Sequence, residues 1–176
     1  MHAAKRKGWM MLELEAAEWR RLRRILEAII RNYQIPPEEI PAQVARVWYS
    51  TAGCQSAGMS AEQTGEWLDE LRAIRNSRLH LLQRCVREME SAGEGSYALR
   101  MSPEQAAIFM TSLNDHRLFL GAQHEIGEAE MTLPFFASAA GLAPARRKAL
   151  FEIGALALVI EILLGVIDPE AVSWLE

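Results

Sequence analysis

The sequence predicts an all-α protein, a compact bundle of five to six helices with a minor two-stranded ribbon before the first and fourth helices. Three observations point there. A long stretch near the start is apolar at helical spacing, two Ser-to-Gln capping boxes mark helix beginnings, and strand-like runs are confined to two short segments. The chain has 176 residues, 50% of them hydrophobic and 24% charged, with a formal net charge of -4. A domain of this size removes roughly 70% of its unfolded surface from water, so one core over residues 1–176 is expected without disulfide staples.

From Trp19, the residues Leu22, Ile25, Leu26, Ile29, Ile30 and Tyr33 share one helix face, while Arg20, Arg24, Glu27 and Arg31 share the other. This first helix ends before Pro36-Pro37. A second, shorter helix is expected from Glu38 to Tyr49, and the Gly- and Ser-containing stretch from Thr51 to Met59 reads as a loop. Ser60-Ala61-Glu62-Gln63 opens a third helix running to about Glu90, and Ser102-Pro103-Glu104-Gln105 opens a fourth running to about Glu125. In each box the serine oxygen accepts from the glutamine amide while the glutamine side chain reaches back, satisfying two donors that a helix start leaves open. A fifth helix is expected from Leu133 to Ala140 and a sixth, strongly apolar, from Ala145 to Val166, stopped by Asp168-Pro169.

The two extended runs, Trp9 to Leu14 and Ser96 to Met101, each precede a helix start. They either pair as a ribbon packed on helices or serve as extended helix leaders. Leu12 aligned with Leu99 also brings Glu18 onto Gln105, a faint likeness between the two strand-then-helix units.

The apolar segment Ala149 to Ile167 approaches the length of a membrane span, but Glu152 and Glu161 interrupt it on opposite faces. Each carboxylate would cost about 2.5 to 3.5 kcal/mol at the middle of a bilayer. A largely buried core helix is the expectation, with partners or water for both acids and no membrane. Two cysteines, Cys54 and Cys85, make no disulfide framework, and the first residues lack a secretion leader, so the expected compartment is a reducing cytoplasm.

Within the fourth helix, the run Leu113-Asn114-Asp115-His116-Arg117-Leu118-Phe119-Leu120-Gly121 follows a strand, a Ser-Pro-Glu cap and an apolar stretch. In that context the chain resembles an uncharacterised bacterial family, best represented in actinobacteria, known as a domain of unknown function. The resemblance covers Leu99 to Gly121 most closely and extends to Leu12 through Ile30. It implies a small all-helical cytoplasmic protein, often encoded beside the adaptor of the Clp protease. It implies no activity. Family members end on an aromatic and polar helix, whereas Leu150 to Ile160 here is apolar.

Arg117 is the most informative single residue, because it falls inside the apolar stripe of Ala106, Phe109, Met110, Leu113 and Leu120. A guanidinium there must snorkel or meet acceptors. Asn114, one turn earlier, and Glu152 or Glu161 of the last helix are the candidate partners, forming a polar cluster that is either structural or a pocket for a small anionic ligand. Arg75 and Arg78 interrupt the seam of the third helix, so it either bends or ends near Asn76, or presents a basic spot. With Arg20, Arg24 and Arg31 they form the candidate interaction surface.

Those arginines do not make a nucleic-acid site, because Glu13, Glu15, Glu18 and Glu27 dilute the field that counterion release requires. His116 and His124 diverge by roughly 80°, and the Glu-x-x-His pattern of helical two-metal sites is missing, so no metal is expected. No glycine-rich phosphate loop or nucleophile elbow suggests a cofactor or a catalytic residue. The expected function is that of a non-enzymatic cytoplasmic interaction or regulatory protein linked to proteolysis, with a protein partner. The alternatives are a structural homo-oligomer, suggested by five tryptophans, and an anion binder built on Arg117.

Overall fold

The structure is a computed structural model and describes residues 1–91, 97–127, 130 and 141–167. The chain opens on an antiparallel hairpin, β1 (His2–Arg6) and β2 (Trp9–Leu14), followed by α1 (Ala16–Tyr33). A 3-10 turn at Pro37–Glu39 leads to α2 (Ala42–Trp48), α3 (Ala52–Ser56) and the long α4 (Ala61–Ser91). Then come β3 (Tyr97–Met101), α5 (Pro103–Gln123) and α6 (Pro144–Ile167). Helix dominates, as expected, and the small sheet has three strands, not two.

β2 is the central strand, and it pairs antiparallel with β3 in the register Met10↔Met101, Leu12↔Leu99, Leu14↔Tyr97. All six of those side chains are buried on one face of the sheet. On the opposite face the Arg100 guanidinium lies 4.1 Å from the Trp9 ring centre. The additional strand, β1, turns back through Lys7 and Gly8, whose φ values of 50° and 82° are both left-handed. That is the two-residue turn whose twist matches paired strands. Lysine in place of Asn or Asp at its first position hides the signal in the sequence.

By internal contacts the chain forms two compact units. The first comprises Met1–Asn32, Arg78–Asn114 and Leu156–Glu176. Its buried residues include the inner sheet face, Leu22, Leu26 and Ile29 of α1, Leu82 and Cys85 of α4, and Phe109 and Leu113 of α5. Trp19 stacks on Tyr97 with ring centres 4.5 Å apart, and its indole nitrogen donates to the Met89 carbonyl at 3.2 Å, tying α1 to β3 and α4.

The second unit comprises Tyr33–Ser77 and Asp115–Ala155. Here Pro41 displaces the expected start of the second helix, because the residue before a proline is driven out of helical geometry. The expected loop from Thr51 contains α3, which buries Cys54. The α5 end forms a Schellman motif: Ile126 N–H donates to the Gly121 carbonyl at 2.9 Å, and Glu125 N–H to Ala122 at 3.4 Å. Ile126 then packs with Leu120, Ala149, Leu150 and Ile153.

Both capping boxes form. Ser60 N–H donates to Gln63 Oε1 at 2.9 Å and Gln63 N–H to Ser60 Oγ at 3.2 Å. The equivalent bonds between Ser102 and Gln105 are 3.0 and 3.1 Å. α4 is continuous through Asn76. The expected helix from Leu133 to Ala140 and the terminal peptide from Pro169 lie outside the described residues.

Candidate functional site

In the second unit, Asp115 on α5 gathers side chains from three other segments. Its Oδ2 accepts the Tyr33 hydroxyl at 2.7 Å and faces Arg75 Nε of α4 at 3.6 Å. Its main-chain carbonyl accepts the Trp48 indole N–H at 3.1 Å. Arg75 Nη2 donates to the Trp48 carbonyl at 2.9 Å, and the guanidinium carbon lies 5.0 Å from the Trp48 ring centre and 4.8 Å from that of Tyr49. The Arg75 side chain is only 12% exposed. This corrects the expectation that Arg75 belongs to an interaction surface: it is an internal cation held by one carboxylate, one carbonyl and two aromatic faces.

One residue further, His116 is buried, and its Nε2 lies 2.9 Å from Glu152 Oε1 of α6. The imidazole stacks on Phe119 at 6.2 Å between ring centres. Glu152 is thus brought to His116, while Glu161 is exposed to solvent. Of the two acids expected to find partners or water, Glu152 meets a side chain and Glu161 lies at the surface. Arg117 is half-buried and Asn114 is exposed.

Asp115 and His116 escape a reading built on one stripe, because α5 buries two. Ser112, Asp115, His116 and Phe119 are all buried at the spacing i, i+3, i+4, i+7. That spacing was visible in the sequence, but its polar members disguise it. The pair His116–Glu152 has the elements of a proton-transfer dyad, yet the ring is only 3% exposed. In this geometry it links α5 to α6. Among the described residues no group of three His, Cys, Asp or Glu could hold a metal ion.

Three surfaces remain open. In the second unit a shallow groove of about 590 Å³ is lined by Ala45, Arg46, Tyr49, Thr51, Gln55 and Arg72, and Arg72 pairs with Asp69 at 2.9 Å. In the first unit Arg20, Arg24 and Arg31 are exposed along α1, with Arg24 Nε donating to the Arg20 carbonyl at 3.3 Å. Glu27 interrupts that stripe and pairs with Arg23 at 2.9 Å. Arg78, the other basic residue expected at the surface, is half-buried.

The third surface is a side of α6. Among the described residues this helix alone is long and apolar enough to cross a membrane, by length and composition. Only 28% of its most apolar stretch is buried, so the expected largely buried core helix is corrected to one with a single interior stripe. Ala149 and Ile153 of the second unit and Leu156, Val159 and Leu163 of the first make that stripe. Phe151 is 41% exposed and Leu158 is 52% exposed.

A family model described as a domain of unknown function, DUF2017, matches residues 1–166. No curated protein and no solved structure matches the chain.

Proposed function

The chain belongs to the DUF2017 family, a domain of unknown function, and on that premise we propose a non-enzymatic cytoplasmic interaction protein that engages a protein through the solvent-facing side of α6. The observation that carries this reading is the exposure of Phe151 and Leu158 on the side of α6 that faces away from its single buried stripe. Scattered exposed apolar residues are ordinary. A row of them on the most apolar helix of a chain is what docking surfaces offer, since its burial by a partner returns about 25 cal/mol for each Å² of apolar surface. The expected gene neighbourhood beside the Clp adaptor makes proteolysis the process in which to seek the partner.

The test is a photo-crosslinking side chain placed at Leu158 in the living cell, with the same group at exposed Glu66 of α4 as control. A discrete protein adduct from position 158 and none from position 66 is expected. Failure of position 158 to crosslink any protein overturns the reading. Reversal of Arg24 and Arg31 to Glu, assayed the same way, reports whether α1 contributes to the contact.

A further inference from the structure

We propose that the occupant of the exposed α6 face is a second copy of this chain, whose α6 lies antiparallel across the first with the two-fold axis passing at Gly154. This rests on the reading of α6 as a docking surface and names what docks there.

α6 runs as one uninterrupted helix from Pro144 to Ile167. At about 100° per residue, Arg147, Phe151, Gly154, Leu158 and Glu161 fall within a stripe about 80° wide. All five are exposed. The buried residues Ala149, Ile153, Leu156, Val159 and Leu163 occupy the opposite side. The open stripe therefore follows the 4-3-4-3 interval at which one helix meets another.

Its content is self-complementary. A two-fold axis at Gly154 sets each residue before it against the residue equally far after it in the partner copy. Arg147 lies seven residues before and Glu161 seven after, so each guanidinium meets the other copy's carboxylate about 10.5 Å from the crossing point. Phe151 stands three residues before and Leu158 four after, an offset of one helical rise, so ring meets leucine on both sides. Among the described residues neither Arg147 nor Glu161 has an oppositely charged partner: Arg147 donates to the Leu142 carbonyl at 3.1 Å, and Glu161 faces water. Parallel pairing would set like charges together and is disfavoured.

Gly154 supplies an independent observation. Glycine is unfavourable inside a helix, and among the described residues no atom lies within 4 Å of where a Cβ at this position would stand, so no close neighbour there calls for it. A second helix crossing at that point explains the choice, because a missing side chain lets two backbones approach closely.

The experiment is sedimentation equilibrium of the full chain, with circular dichroism melting to confirm that each variant folds. The parent is expected to form a concentration-dependent dimer. Arg147→Glu and Glu161→Arg each weaken it about tenfold or more, and the double swap restores association toward the parent. Gly154→Leu abolishes it. Gly154→Cys gives a disulfide-linked dimer under mild oxidation, without competition from Cys54 and Cys85, which are buried. A dimer indifferent to these substitutions, or charge reversals whose effects add in the double variant, overturns the proposal.

A monomeric parent also overturns it, and the outcome at position 158 then separates the two readings. A foreign protein crosslinked there sinks self-pairing while leaving α6 a protein-docking surface. A monomer that binds vesicles of phosphatidylcholine and phosphatidylglycerol through α6, with no protein adduct, sinks both.

Discussion

Asp115 and Arg75 show what a single buried charge demands of its surroundings. Their 3.6 Å separation is an ion pair beyond hydrogen-bond reach, so the Tyr33 hydroxyl at 2.7 Å and the carbonyl of Trp48 supply the short contacts. Tyr33→Phe is expected to lower stability by about 1.5 to 3 kcal/mol, the range for a hydrogen bond to a charged group, measured by urea denaturation. Arg75→Met removes a buried cation that faces the Asp115 carboxylate and is expected to cost about 3 to 5 kcal/mol, with partial recovery when Asp115→Asn is added. Cys85 offers a pH reading at the same scale. Burial pushes its thiol from 9.0 up to about 11, so the folded chain holds more protons than the unfolded chain between those values. Stability is therefore expected to fall as pH rises through that window, and Cys85→Ala removes that part of the slope in denaturation curves. Cys85 as a core residue was readable from its apolar stripe. Asp115 was not, because its partners come from α1, α2 and α4, and no local pattern states which segments will meet.

At the scale of elements, local chemistry set most boundaries. The boxes at Ser60 and Ser102 start α4 and α5 where their side chains satisfy the first free amides. Ser102→Ala is expected to destabilise by about 1 kcal/mol in thermal or urea melts. The α5 terminus is less legible, because Glu125 occupies the left-handed position, at φ 53°, that glycine ordinarily takes. Glu125→Gly is expected to raise stability by about 0.5 to 1 kcal/mol, since it removes a steric penalty while keeping both Schellman bonds. The same concealment applies to the hairpin at Lys7 and Gly8. Where a left-handed residue is not Gly or Asn, strand pairing or helix packing has imposed the conformation, and the sequence carries no local mark of it.

For the whole molecule, the deciding quantity is how much of α6 the chain itself covers. The dimer proposed above would remove water from Phe151 and Leu158, and if it forms, mass action makes the melting temperature rise with protein concentration. Leu158→Gln is expected to flatten that dependence in scans at low and high concentration. The sequence by itself determined the helical class, the extents of the long helices and the capped starts of α4 and α5. All of these follow from periodicity and from hydrogen bonds closed within a few residues. Only the tertiary structure decided that β1 joins the sheet, that Arg75 turns inward to Asp115, that Glu152 meets His116, and that one side of the most apolar helix remains in water. Those outcomes depend on which distant segments come together, and an apolar residue signals that its burial is favourable without specifying the surface that will bury it.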